Sequence, residues 1–247
     1  MRQLWVVFAE ELRRAWRSPG TYILLSLFFV GIGALYLAVL FQASVEPQRA
    51  SPLQTFWEMQ WLPNLFWVPL LTMRLLAHER KHSLLESTLA TPTTPVAIVL
   101  GKYFSSLVLY LVGWLAVGFF VFITRINGLS PVDAAYVCSP AAVWGGPLFC
   151  AASGMLFLAA GLWCSSLTRN TIIAGALTVC LMLLYMFLPT MLGALPLNLD
   201  FLKPFSHLDN LSDYVAGQLS LSMIVAYAVA SLVLLFATAL SIERRAE

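Results

Sequence analysis

Between Leu70 and Lys102 the chain reads LLTMRLLAHERKHSLLESTLATPTTPVAIVLGK, the only dense polar interruption between long apolar runs. Arg74, His78, Glu79, Arg80, Lys81, His82 and Glu86 cluster there, followed by Pro92 and Pro95. The chemistry these residues suit is contact. Leu84, Leu85, Thr88 and Leu89 form an apolar stripe, and Glu79, Arg80, Lys81 and Glu86 form a charged rim. An apolar centre inside a polar rim is how protein interfaces are built. Arg74, at the end of the preceding apolar run, is placed to hold the elbow through carbonyls or Glu79, or to snorkel toward the membrane surface. Other reactive types are sparse. His207, Asp209 and Asp213 mimic a metal site, but an HxD pair is a weak signal, and a surface or helix-capping role without metal is expected. The four cysteines, Cys138, Cys150, Cys164 and Cys180, form no CxxC or other metal spacing and read as small buried hydrophobes. There is no G-x-x-x-x-G-K-[ST] phosphate loop. No His–Asp–Ser cluster appears, and no charge lies centrally in an apolar run, as an intramembrane enzyme would need.

The elements that position these residues are set by composition. The chain has 247 residues, 60% hydrophobic and 11% charged. Soluble domains carry about 25% charged residues, so this is an integral membrane protein. Uncharged runs at Thr21–Phe41, Met59–Met73, Tyr103–Thr124, Val143–Trp163, Thr171–Leu195 and Leu219–Ile242 predict six transmembrane helices in one domain over residues 1–247. The second run is short, contains Pro63 and Pro69, and spans only if Gln54–Trp61 or the stem of Arg74 extends it. The runs are continuously apolar, whereas barrel strands alternate. The first run has the length of a span and is expected to be retained rather than cleaved as a signal peptide.

Residues 1–18 read as an interfacial helix. Trp5, Phe8, Leu12 and Trp16 recur at helical spacing, Arg13, Arg14 and Arg17 face headgroups, and Glu10 pairs with Arg14. Gln42–Glu58 and Arg125–Pro140 are expected as external loops, and Ser165–Asn170 as a tight turn that makes spans four and five antiparallel neighbours. Gly145, Gly146, Ser153, Gly154 and Gly161 on span four, with Gly175 on span five, permit close helix contact within the chain or across a dimer. Residues 195–218 are too apolar for a plain loop and too broken for a span, so short external re-entrant or interfacial helices are expected there. Eleven of the fourteen Lys and Arg residues fall on the side of the amino terminus; Arg49, Arg125 and Lys203 fall on the other. Both termini are therefore expected in the cytoplasm. The net charge of +2 is a topology signal and no sign of nucleic-acid binding.

The same segment resembles the signature of ABC-2 type permeases, in the branch of gliding-motility and nitrous-oxide-reductase maturation transporters. Thr72, Met73, Arg74, Ala77, Glu79, Arg80, Lys81, Leu85, Glu86, Leu89, Pro92, Ile98, Val99, Gly101 and Lys102 match that pattern. Lys203-Pro204-Phe205-Ser206-His207-Leu208, Gly217 and Glu243-Arg244-Arg245 are similar to the branch as well. The chain departs from it at His78, usually Glu, and at Ser83-Leu84, usually Gly-Thr. The resemblance implies that residues 78–95 form a coupling-helix loop, with Arg74, Glu79, Arg80, Lys81, Leu84, Leu85, Glu86 and Leu89 meeting a cytoplasmic ABC ATPase. It implies two ATPase copies that bind ATP and Mg, and a second permease chain as homodimer or heterodimer. It also implies a bacterial inner membrane and room for a further periplasmic or membrane subunit. The chain itself then needs no cofactor and is no enzyme. A non-transporting scaffold, a passive channel and a haem-export-type permease are the rival readings. The absence of charged lining favours a hydrophobic or amphipathic substrate, or mechanical work without a solute.

Overall fold

The computed structural model describes residues 2–45, 51–77, 94–126, 136–193 and 206–243. Their regular structure is helical: α1 Arg2–Arg17, α2 Pro19–Val45, α3 Pro52–Glu58, α4 Trp61–Thr72, α5 Pro95–Ile126, α6 Pro140–Leu167, α7 Thr171–Gly193, α8 His207–Val215 and α9 Leu221–Glu243. Five of these, α2, α5, α6, α7 and α9, are long and apolar enough to cross a membrane. They coincide with five of the six apolar runs and extend past them where polar flanks continue the helix.

The run at Met59–Met73 behaves differently. Its helix α4 has 12 residues, about 18 Å at 1.5 Å per residue, against a hydrocarbon core of about 30 Å. Pro63 cannot donate the backbone bond that would join α4 smoothly to α3, and Pro69 interrupts the ladder further on. The expected external loop at Gln42–Glu58 is also corrected, because α2 runs to Val45 and residues 52–58 are α3. Ser51 Oγ accepts from the Gln54 backbone N–H and Gln54 Oε1 accepts from the Ser51 N–H, with Pro52 at the first helical position. That S-x-x-Q arrangement starts a helix by satisfying two donors at once.

Helix α6 is the hub. Its most apolar stretch is 78% buried, against 28–33% for the other four long helices. A stripe of small residues makes this possible. A Cβ on Gly146 would run into Trp57 of α3, one on Gly154 into Tyr110 of α5, and one on Gly161 into Thr72 of α4. Gly145 lies against the Tyr214 carbonyl of α8. The small residues therefore serve packing within the chain. A buried polar knot joins the same helices: Asn64 Oδ1 accepts from Tyr110 Oη at 3.0 Å and from Trp114 Nε1 at 3.3 Å. Hydrogen bonds between helices in lipid contribute roughly 0.6–2 kcal/mol each.

Aromatic pairing orients α2 and α5. Phe28 packs edge-on to Trp114, Gly33 faces Phe120, and Tyr36 bonds Thr124. Residue numbers rise together, so the two helices run parallel. At the other turn, Asn170 caps α7, accepting from Ile172 N–H at 2.9 Å. It makes α6 and α7 the antiparallel neighbours expected from the short connection.

The inward face of α1 is the Leu4, Val7, Phe8, Glu11, Leu12, Ala15 and Trp16 stripe, with Trp5 65% exposed. Two side-chain expectations need correction. Cys138, Cys150 and Cys164 are buried, but Cys180 is exposed on α7. His207 does not sit with its aspartates. It is fully buried among Phe149, Phe157 and Tyr185, with Nδ1 3.3 Å from Tyr227 Oη, while Asp209 and Asp213 are exposed on the other face of α8. Burial pushes the His207 imidazole down to about 3, so it is neutral in the folded protein near pH 7. Helix α8 ends in a Schellman turn, with Gly217 at φ +92 and Gln218 N–H donating to the Asp213 carbonyl.

Candidate functional site

The polar segment enters the described structure at two roots. Residues 78–93, which include Glu79, Arg80, Lys81, Leu84, Leu85, Glu86 and Leu89, lie outside the described residues. What surrounds them is defined in detail.

The first root is the turn at 73–77 that follows α4. Leu76 and Ala77 are fully buried. Their backbone N–H groups both donate to Ser165 Oγ near the carboxyl end of α6, at 3.2 and 3.0 Å, and Ser165 donates to the Met73 carbonyl at 3.4 Å. One hydroxyl thus satisfies a turn that leaves a helix end with unmatched backbone groups. One turn earlier on α6, Gly161 receives Thr72. Gly161 and Ser165 stand four apart on one helix face, and they meet Thr72 and the turn after it. The described contacts of this elbow come from Ser165. Arg74 is exposed beside it and lines a cavity.

The second root is the start of α5. Thr94 Oγ1 accepts from the Ala97 N–H at 3.3 Å, with Pro95 opening the helix. Helix α5 has 32 residues, about 48 Å, so it is longer than the hydrocarbon needs. Its first turns carry α1. A Cβ on Gly101 would meet Val7 Cγ1 at 2.7 Å and the Phe8 backbone nitrogen at 3.1 Å. Lys102 Nζ donates to Glu11 Oε1 at 2.8 Å, with Lys102 3% and Glu11 15% exposed. Arg14 approaches the same carboxylate at 3.7 Å and reaches Glu10 at 3.9 Å. The Glu10–Arg14 pair expected from spacing is therefore present but exposed. Glu11 carries the contact that matters for position. Glu11 and Lys102 are 91 residues apart, so no local pattern pointed to their pairing.

Chemically the arrangement is a mount. Both ends of the polar segment are fixed to the helical body, one to α6 through Ser165 and one to α1 through Gly101 and Lys102. Among the described residues no group of three His, Cys, Asp or Glu side chains gathers as a metal site would.

Three of the long apolar helices, α5, α7 and α9, pack on the fourth, α6, while α2 packs on α5, and a polar segment is mounted between α4 and α5. The family model for ABC-2 family transporter proteins matches residues 5–244, and the chain belongs to that family. It is thus a membrane permease component of an ABC transporter, a class that works with an ABC ATPase and pairs in the membrane. No curated protein matches the chain.

Proposed function

We propose that this chain is the permease of an ATP-driven exporter or mechanical transporter in a bacterial inner membrane, of the gliding-motility and nitrous-oxide-reductase maturation type, and that residues 78–95 dock on a separate ATPase. The observation that carries this reading is the double mount. A segment that only linked two helices would need no fixed roots. A segment that receives force from a moving partner needs both, because displacement is otherwise lost in the linker. Docked on Glu79, Arg80, Lys81, Leu84, Leu85, Glu86 and Leu89, an ATPase would push on α4 and α6 through Ser165 and on α1 and α5 through Lys102.

In this reading α3 and α4 together make the sixth crossing. Helices α2 and α5 run parallel, so the chain between them must return to its starting side, and α3–α4 is the helical chain available. Both termini and the 78–93 segment then share the cytoplasmic side, in keeping with the Lys and Arg bias. Two permease chains and two ATPases complete the transporter. Among the described residues Lys102 is the only buried Lys, Arg, Asp or Glu, which supports a hydrophobic or amphipathic cargo, or work on an external partner.

Affinity purification of the tagged chain from its native membrane tests the partnership. An ATPase carrying a G-x-x-x-x-G-K-[ST] loop is expected to co-purify in equal amount. Recovery without any such chain, under conditions that keep the permease folded, contradicts the proposal.

A further inference from the structure

We propose that the cleft between α1, α2, α4 and α5 is a binding site for one anionic phospholipid of the leaflet on which α1 lies. The cleft encloses about 360 Å³, within the range of small-molecule sites of roughly 300–1,000 Å³. Its walls are graded in one direction. One wall runs seven residues from Ser18 to Leu25, another seven from Lys102 to Leu109, and the third seven from Arg74 back to Trp67. Each passes from a polar or charged side chain to an apolar one over roughly 10 Å. Charge collects at one end, where Arg14, Arg74 and Lys102 meet the carboxylate of Glu11, and Arg14 also reaches Glu10 at 3.9 Å. Arg74 has no ion-pair partner among the described residues. Thr21, Ser105 and Ser106 come next, and leucines and Trp67 close the far end. A ligand matching this gradient has an anionic head, a polar linkage and an apolar tail.

The second large cavity makes the contrast. It holds about 400 Å³ between α6, α7 and α9, and no charged side chain lines it. Any acyl chain suits that one, whereas the α1 cleft selects a headgroup. Basic groups near a membrane surface each contribute about 1 kcal/mol toward anionic lipid. Lys102 and Arg14 are matched by Glu11 and Glu10, so Arg74 is the charge left to favour an anionic over a zwitterionic headgroup, by about 5-fold, equivalent to about 1 kcal/mol.

The test is native mass spectrometry of the full chain, released from nanodiscs holding phosphatidylglycerol and phosphatidylcholine with identical acyl chains. One phosphatidylglycerol should be retained per chain, with about 5-fold preference. Arg14→Gln with Arg74→Gln should abolish that preference, while Arg14→Lys with Arg74→Lys keeps most of it. Glu11 and Lys102 stay intact in both, so α1 remains docked. Equal retention of the two lipids by the wild-type chain overturns the proposal, whatever the variants do. So does undiminished preference in the Gln variant. Displacement of the lipid by millimolar glycerol phosphate would assign the basic end to a free anion and also overturn it. Failure of the ATPase to co-purify leaves this outcome unaffected, so the two readings are tested separately.

Discussion

Lys102→Ala will loosen α1 from the body of the permease and lower its stability by about 3 kcal/mol, the lower end of the roughly 3–5 kcal/mol for breaking a buried ion pair. The lower end applies because Glu11 is partly exposed and keeps Arg14 at 3.7 Å. The cost arises mainly from the Glu11 carboxylate left against α5 without its 2.8 Å partner. Replacing both members, as Glu11→Leu with Lys102→Met, should recover most of the loss, because two apolar side chains of similar bulk leave no charge to desolvate. Melting of the purified chain in mild detergent, for wild type, Lys102→Ala, Glu11→Leu, Lys102→Met and the double variant, closes the cycle. Equal losses in the Lys102→Ala and double variants would show that packing at Gly101, not the ion pair, holds α1.

The second large effect is expected at the other root. Gly161→Val places a branched side chain where Thr72 now sits against α6. Thr72 is fully buried and its hydroxyl donates to the Val68 carbonyl at 2.9 Å, so it has nowhere to move. Overpacking of this kind costs about 1–3 kcal/mol or more. It should also separate Leu76 and Ala77 from Ser165, one turn along the same face, and leave two buried N–H groups unpaired at about 1–3 kcal/mol each. The internal control is Gly175→Ala on α7. The nearest atom there is the flexible Met73 Sδ at 3.5 Å, an ordinary contact, and alanine is the better helix former. Gly175→Ala should therefore melt at or slightly above wild type, while Gly161→Val melts well below it and loses ATPase stimulation. Similar melting of the two variants would remove the case for a tight α4–α6 joint.

The long helices were legible because a membrane imposes a simple rule on sequence. An uncharged run of about 20 residues has few alternatives to a spanning helix, and α2, α5, α6, α7 and α9 all obey it. The rule fails at Met59–Met73, where the run itself is short and α4 fills it with only 12 residues. Helix α3 was legible in principle. Ser51, Pro52 and Gln54 spell a helix start, but Pro47 and Pro52 drew the reading toward a loop. The Leu84–Leu85–Leu89 stripe lies outside the described residues, whereas Gly101 and Lys102 were visible through their family resemblance. Their partners were not. Glu11 is one of two adjacent acids on a half-turn of α1, and which of them faces α5 depends on the crossing of two helices distant in sequence. Ser165 looked like part of a polar turn, and only the arrival of α4 makes its hydroxyl a three-way clasp. His207 misled for a related reason, since HxD spacing says nothing about which face of α8 is buried.

In the proposed transporter, residues 78–93 are where the ATPase acts. The direct measurement is ATP turnover by the purified permease–ATPase complex in nanodiscs, with pull-down of the ATPase, for wild type, Leu85→Asp and Lys81→Ala. A carboxylate at the centre of a docked apolar stripe must be desolvated without a partner, at roughly 1–3 kcal/mol or more. Association and stimulated turnover should fall about 10- to 100-fold in Leu85→Asp, while the permease melts as wild type. Lys81→Ala, on the rim, should change them little, because exposed pairs contribute about 0–1 kcal/mol. Wild-type association and turnover in Leu85→Asp would contradict the assignment of this segment as the coupling element.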